Sequence, residues 1–182
     1  MNKYYCCRVG ELESVRVDGS RQESHFYKSF HKPIIEHRYT DIRWAVNEAS
    51  IHKNKIKSIN IDINNGINIF VILIPSSPNN FPYAICELKQ IKERILGPLL
   101  ELDETNSERG WINGTSSGHD DFKYDFIFKK IYLLNRDSFD GIKIKGQNVF
   151  FELKQGQSNE EYLNRVNQEI RYILRYIQPI IL

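Results

Sequence analysis

Apolar and polar residues follow one another along this chain in patterns that predict most of its elements. Residues 4–9 are aromatic and β-branched, and residues 14–17 alternate before the turn dipeptide Asp18-Gly19. Together they predict an N-terminal pair of strands. Residues 20–39 carry His, Tyr, Phe and Lys without a clean period. Thr40 is placed to cap a helix reaching Lys53, with Ile42, Ala45, Val46 and Ala49 on one face. Ile59, Ile61 and Ile63 then alternate with Asn60 and Asp62. Asn65-Gly66 follows, and this pair suits a tight hairpin because both residues tolerate φ > 0. The return strand over 67–74 is almost continuously apolar, which predicts a central position covered on both faces.

Pro82 suits a first helical turn, and Ile85, Leu88, Lys92, Ile95 and Leu99 recur at helical spacing up to Gly97-Pro98. Residues 103–121 are polar and glycine-containing, and read as a long loop. Residues 123–134 read as a strand, and 140–154 as a β-hairpin around Gly146-Gln147. Ser158 and Glu161 have capping-box spacing, and Tyr162, Val166, Ile170, Ile173 and Ile177 form an apolar helical stripe. Residues 179–182 suit a short last strand. The sum is one α+β domain over 1–182, with a mixed or antiparallel sheet, β-hairpins and about three main helices. Two ββα units, 56–98 and 140–178, are expected either side of the polar loop 103–121.

Composition narrows the class. The chain has 182 residues, 41% hydrophobic and 26% charged, with a net charge of +2. That length buries a real core, and this charge balance neither requires nor excludes a nucleic-acid partner. Cys6, Cys7 and Cys86 are odd in number and lack zinc-type spacing, so buried reduced thiols are expected. The N-terminus has no signal-like pattern, and the longest apolar run is strand-sized. The expectation is a cytoplasmic protein without a membrane partner, in which the Asn113-Gly-Thr115 sequon is incidental.

The candidate chemistry lies in the last third. Asp140, Glu152 and Lys154 have the spacing Asp-x(11)-Glu-x-Lys. With the order helix 82–98, strand 123–134, hairpin 140–154, helix 159–177 and strand 179–182, this resembles the PD-(D/E)xK nuclease superfamily over the last hundred residues. Phe139 stands where that pattern often has proline. The resemblance implies Mg²⁺ held by Asp140 and Glu152, phosphodiester hydrolysis, Lys154 orienting the attacking water, and a helical Glu in support, Glu87 or Glu93. A two-residue turn at Gly146-Gln147 pairs residues whose numbers sum to 293, and so sets Asp140 on the face opposite Glu152 and Lys154. An odd loop or a bulge would bring the carboxylates together.

Other features carry less. His25, His31, His37, His52 and His119 are scattered, and His119-Asp120-Asp121 sits in the polar loop. Cys86 has no recognisable base. Gly110, Gly114 and Gly118 do not form a phosphate loop. Trp44 reads as core and Trp111 as a loop anchor. The aromatic-basic stretch 26–33 suits either nucleic-acid contact or an edge of the core. The competing function is a non-catalytic protein-interaction protein, an immunity- or antitoxin-like inhibitor or an adaptor, with a protein partner and an exposed patch rich in Tyr, Trp and Arg.

Overall fold

The computed structural model describes residues 1–17, 19–47, 49–76, 81–93, 123–134, 139 and 142–182. The strands are β1 (Asn2–Arg8), β2 (Ser14–Val17), β3 (Ser20–Glu23), β4 (Trp44–Val46), β5 (Asn68–Ile74), β6 (Ala84–Glu93), β7 (Tyr124–Leu133), β8 (Phe150–Glu152) and β9 (Ile180–Ile181). The helices are α1 (Lys32–Ile35), α2 (Lys53–Asn64) and α3 (Glu160–Tyr176), with a π-helical turn at Tyr27–His31 and a 3₁₀ turn at Tyr39–Asp41. The main sheet runs β4-β7-β6-β5-β1-β8, and β9 also pairs with β7. β1 and β5 are parallel, whereas β5–β6, β6–β7 and β1–β8 are antiparallel. The class is therefore α+β with a mixed sheet.

Alternation along the strands sends side chains to two cores. Tyr5, Cys7, Val71, Leu73, Cys86 and Leu88 share one face with α1, α2 and Trp44. Tyr4, Cys6, Phe70, Ile72 and Ile85 share the other with α3, whose Tyr162, Val166, Ile170 and Ile173 are buried as their stripe predicts. The sheet is strongly curled. Phe126 of β7 and Phe150 of β8 approach to 5.2 Å between ring centroids. In a flat sheet four strand spacings, about 19 Å, would separate those strands. Curling makes the first face concave.

β5 sits in the middle between β1 and β6, as its apolar run predicts. β7 and β9 also lie where the pattern places them. Several elements differ, each for a physical reason. Residues 53–64 form a helix, not a strand leading into a hairpin. Ile56 and Ile59 are buried and Ile63 is partly buried, at spacings of three and four, while Ile61 is 57% exposed. The alternation of Ile59, Ile61 and Ile63 is thus a fragment of a 3.6-residue period. Asn65-Gly66 closes this helix: Ile67 N–H donates to Asp62 C=O and Gly66 N–H to Ile63 C=O, both at 3.0 Å. With Gly66 at φ +80°, this is a Schellman cap.

β6 replaces the helix expected from Pro82. Its pairing with β7 slips at Glu87/Leu88 and Leu88/Gln90. The bulge puts Leu88 and Ile91, three residues apart, on one face, and so imitates helical spacing. The remainder of that prediction, residues 94–98, lies outside the described residues, as does the loop 103–121. β4 replaces the helix expected from Thr40, because Trp44, Ala45 and Val46 are all buried and pair with Phe126, Asp125 and Tyr124. β1 pairs with β5 and β8, while β2 turns back through Gly19 onto β3. Residues 56–93 therefore run helix, strand, strand, and not ββα.

Residues 142–145 do not form a hairpin with β8, which pairs instead with β1. Ile142 and Ile144 pack towards α3. Backbone groups of this segment find other partners: Arg8 donates to Gly146 C=O at 2.7 Å, and the Asn159 side chain bonds both N–H and C=O of Lys145, at 2.8 and 3.1 Å. Asn159, and not Ser158, is the N-cap of α3, and no side chain caps that helix.

Candidate functional site

Glu152 ends β8 directly opposite Tyr5 on β1. Its Oε2 accepts from Lys55 Nζ at 2.6 Å and lies 3.3 Å from Lys154 Nζ. The Lys55 ammonium also stands 5.1 Å from the centre of the Tyr5 ring. Burial pushes the Glu152 carboxyl upward, but hydrogen bonds and charge from Lys55 and then Lys154 outweigh it and hold the group below its ordinary value. Desolvation, reinforced by the negative charges of Glu152 and Asp62, pushes the Tyr5 hydroxyl well up. Asp62, on the same side of α2 as Lys55, is held by Lys3 at 2.6 Å. This is a network of ion pairs bridging α2, β1 and β8.

Of the residues the sequence singles out, the fold brings Glu152 and Lys154 together. Asp140 lies outside the described residues. Glu87 and Glu93 are on β6 and not on a helix. Glu87 is aligned with Phe70 and Tyr4, whereas Glu152 is aligned with Tyr5 and Val71, so the two carboxylates face opposite sides of the sheet. Lys129 holds Glu87 at 2.7 Å, and Glu93 lies 3.6 Å from Lys123. Among the described residues, no group of three or more His, Cys, Asp and Glu side chains is placed to share a metal ion.

The remaining candidates resolve into packing. Cys6, Cys7 and Cys86 are free and buried, and burial raises all three thiols, Cys7 to about 12. A thiol so raised is a poor nucleophile. His31 Nδ1 meets the Tyr83 hydroxyl at 2.6 Å, and burial lowers its pKa. His119, with Asp120 and Asp121, lies outside the described residues, as does Trp111. In the stretch 26–33, Phe26 and Phe30 are fully buried and stack at 5.1 Å, so neither ring is offered to a base. No helix of the described residues is long and apolar enough to cross a membrane.

A second constellation lies at the outer edge of β7. β4 pairs with residues 124–126 of that strand and β9 with Lys130 and Ile131. Between them opens a cleft of about 570 Å³. Trp44, Phe126 and Phe128 border it but keep their rings buried in the concave core, Tyr39 at its rim is partly buried, and Arg43, Lys89 and Lys92 bring exposed cations to it. Asp125, aligned with Lys92 across β6–β7, is the one acidic side chain among the described lining residues. Its volume is that of a small-ligand site. Sequence reasoning missed this cleft because it placed Trp44, Lys89 and Lys92 on helices. The Arg43-Trp44 pair and the every-second-residue aromatics Tyr124, Phe126 and Phe128 ahead of Lys129-Lys130 were the available signal.

The chain matches no family model, and neither a curated protein nor a solved structure matches it.

Proposed function

We propose that this protein is a non-catalytic nucleic-acid-binding module, in which the cleft beside Trp44 receives one nucleotide of a single-stranded segment. The observation that supports this reading is the convergence of three exposed cations, Arg43, Lys89 and Lys92, on one cleft at the sheet edge, with the partly buried Tyr39 ring at its rim. Single strands are held by aromatic surface for the bases and cationic surface for the backbone. A duplex, with its bases already stacked, has no free nucleotide to insert. Arg43, Lys89 and Lys92 are the phosphate contacts in this reading, and Asp125 and the backbone at the sheet edge supply polar partners for a base edge.

The hydrolytic alternative rests, in the described residues, on Glu152 and Lys154 alone. That carboxylate is already engaged by two ammonium groups, and Mg²⁺ would have to displace them. In this account the Glu152 network is structural.

The test is fluorescence anisotropy of labelled random-sequence single-stranded RNA and DNA, with duplexes as controls. Three phosphate contacts give a slope of about −2 in log K against log salt on single strands. Arg43→Ala, Lys89→Ala and Lys92→Ala should each flatten that slope and weaken binding across sequences. Equal affinity of wild type and the triple variant would remove the cleft from the reading.

A further inference from the structure

The solvated side of α3 is unusual in its last two turns. Tyr172 and Tyr176 are 58% and 61% exposed, and their rings meet at 4.9 Å. Arg175 lies 5.3 Å from the centre of the Tyr176 ring. Arg171 is exposed one turn earlier on the same side. Among the described residues, no carboxylate lies within ion-pair distance of Arg171 or Arg175. A cation near a helix C-terminus is favourable by itself, which accounts for Arg175. It does not account for two adjacent exposed tyrosines, which are mediocre helix formers and keep most of their apolar rings in water.

We propose that this face of α3 docks an acidic amphipathic helix of a partner protein. Tyr and Arg are the residues enriched where interfaces concentrate their binding energy. Two guanidinium groups four residues apart are separated by about 6 Å along the helix. Carboxylates at i and i+4 of a facing helix have the same separation, and each can accept a two-pronged hydrogen bond from an arginine. On the flank of α3 opposite the tyrosines, Arg171 borders a shallow groove of about 450 Å³ between α3 and the start of β1, lined by Tyr4, Ile170 and Leu174.

Nucleic acid fits this face less well. The two rings lean on each other at 40°, so at most one face of each is left for a base. The proposal is independent of the cleft at the β7 edge.

The probe is a fluorescein-labelled synthetic helix with Glu at i,i+4 spacing and Leu on its other face, followed by anisotropy. Wild type should bind it, and Arg171→Glu/Arg175→Glu should weaken binding at least tenfold. Tyr172→Ala/Tyr176→Ala should weaken it several-fold with the fold retained by circular dichroism. Lys57→Glu/Lys143→Glu, exposed cations elsewhere, serves as the charge control and should bind as wild type does. No binding at millimolar peptide, or the same loss in the control, overturns the proposal. So does a result in which the arginine reversal weakens a single-stranded oligonucleotide and leaves the peptide unaffected.

Discussion

Breaking the Lys55–Glu152 contact tests whether this carboxylate is a structural tie or a ligand. Lys55→Met keeps the aliphatic length of the side chain and removes its charge. In the folded protein Glu152 is 14% exposed and Lys55 34%, so the pair lies between the surface and buried limits. Exposed pairs contribute under about 1 kcal/mol, and breaking a fully buried pair costs about 3–5. Lys154 stays beside the carboxylate at 3.3 Å and softens the loss. The expected destabilisation is about 1–2 kcal/mol, a fall of roughly 3–6 °C in Tm for a chain of this size. Glu152→Gln should cost about as much, and the double variant should recover about 1 kcal/mol of the summed losses. The pH dependence has a defined sign. Because folding lowers the Glu152 pKa, its stabilisation is complete above the ordinary glutamate value. It is lost as pH falls through the folded value, so stability should drop less steeply below about pH 4.5 in Glu152→Gln than in wild type. Urea titrations of the four proteins across pH 3–7 read this directly. Additive single losses with unchanged acid slopes would refute the structural role.

Other expectations follow from single contacts. Gly66→Ala forces a Cβ into φ +80° at the end of α2 and should cost about 1 kcal/mol in denaturant unfolding, with no change in the m-value. Asn159→Ala removes both bonds to the Lys145 backbone and should cost about 1–2 kcal/mol, with faster amide exchange at Lys145. In calorimetry with Mg²⁺ or Mn²⁺, wild type and Glu152→Ala should behave alike; millimolar or tighter binding that disappears in a folded Glu152→Ala would restore the hydrolytic reading.

Elements with a long, unbroken period were legible in the sequence. The α3 stripe spans sixteen residues from Tyr162 to Ile177, which no strand pattern imitates, and the β5 run has no polar position after Asn68. Short windows failed. Three alternating isoleucines match both a strand and one side of a helix turn, and only Ile56 upstream separates them. The bulge in β6 replaced a period of two with a spacing of three. Both errors displaced the reading of function. Lys89 and Lys92 fell on a supposed helix, and Trp44 on another, so the cleft they share was invisible. The pairing of β8 with β1, and not with residues 142–145, depends on contacts more than a hundred residues apart, which local pattern does not encode. Glu152 and Lys154 were correctly placed together, yet their principal partner, Lys55, lies 97 residues away and carried no local signal.

The most direct test of the central claim is the indole N–H resonance of Trp44 during titration with single-stranded oligonucleotide. The chain has two tryptophans, so a Trp111→Phe variant assigns the signal. The account predicts a shift at Trp44 that saturates with the anisotropy curve and is accompanied by shifts at Ile127 and Phe128. Binding that leaves Trp44 and these neighbours unmoved, or no binding of RNA or DNA at low salt, would contradict it.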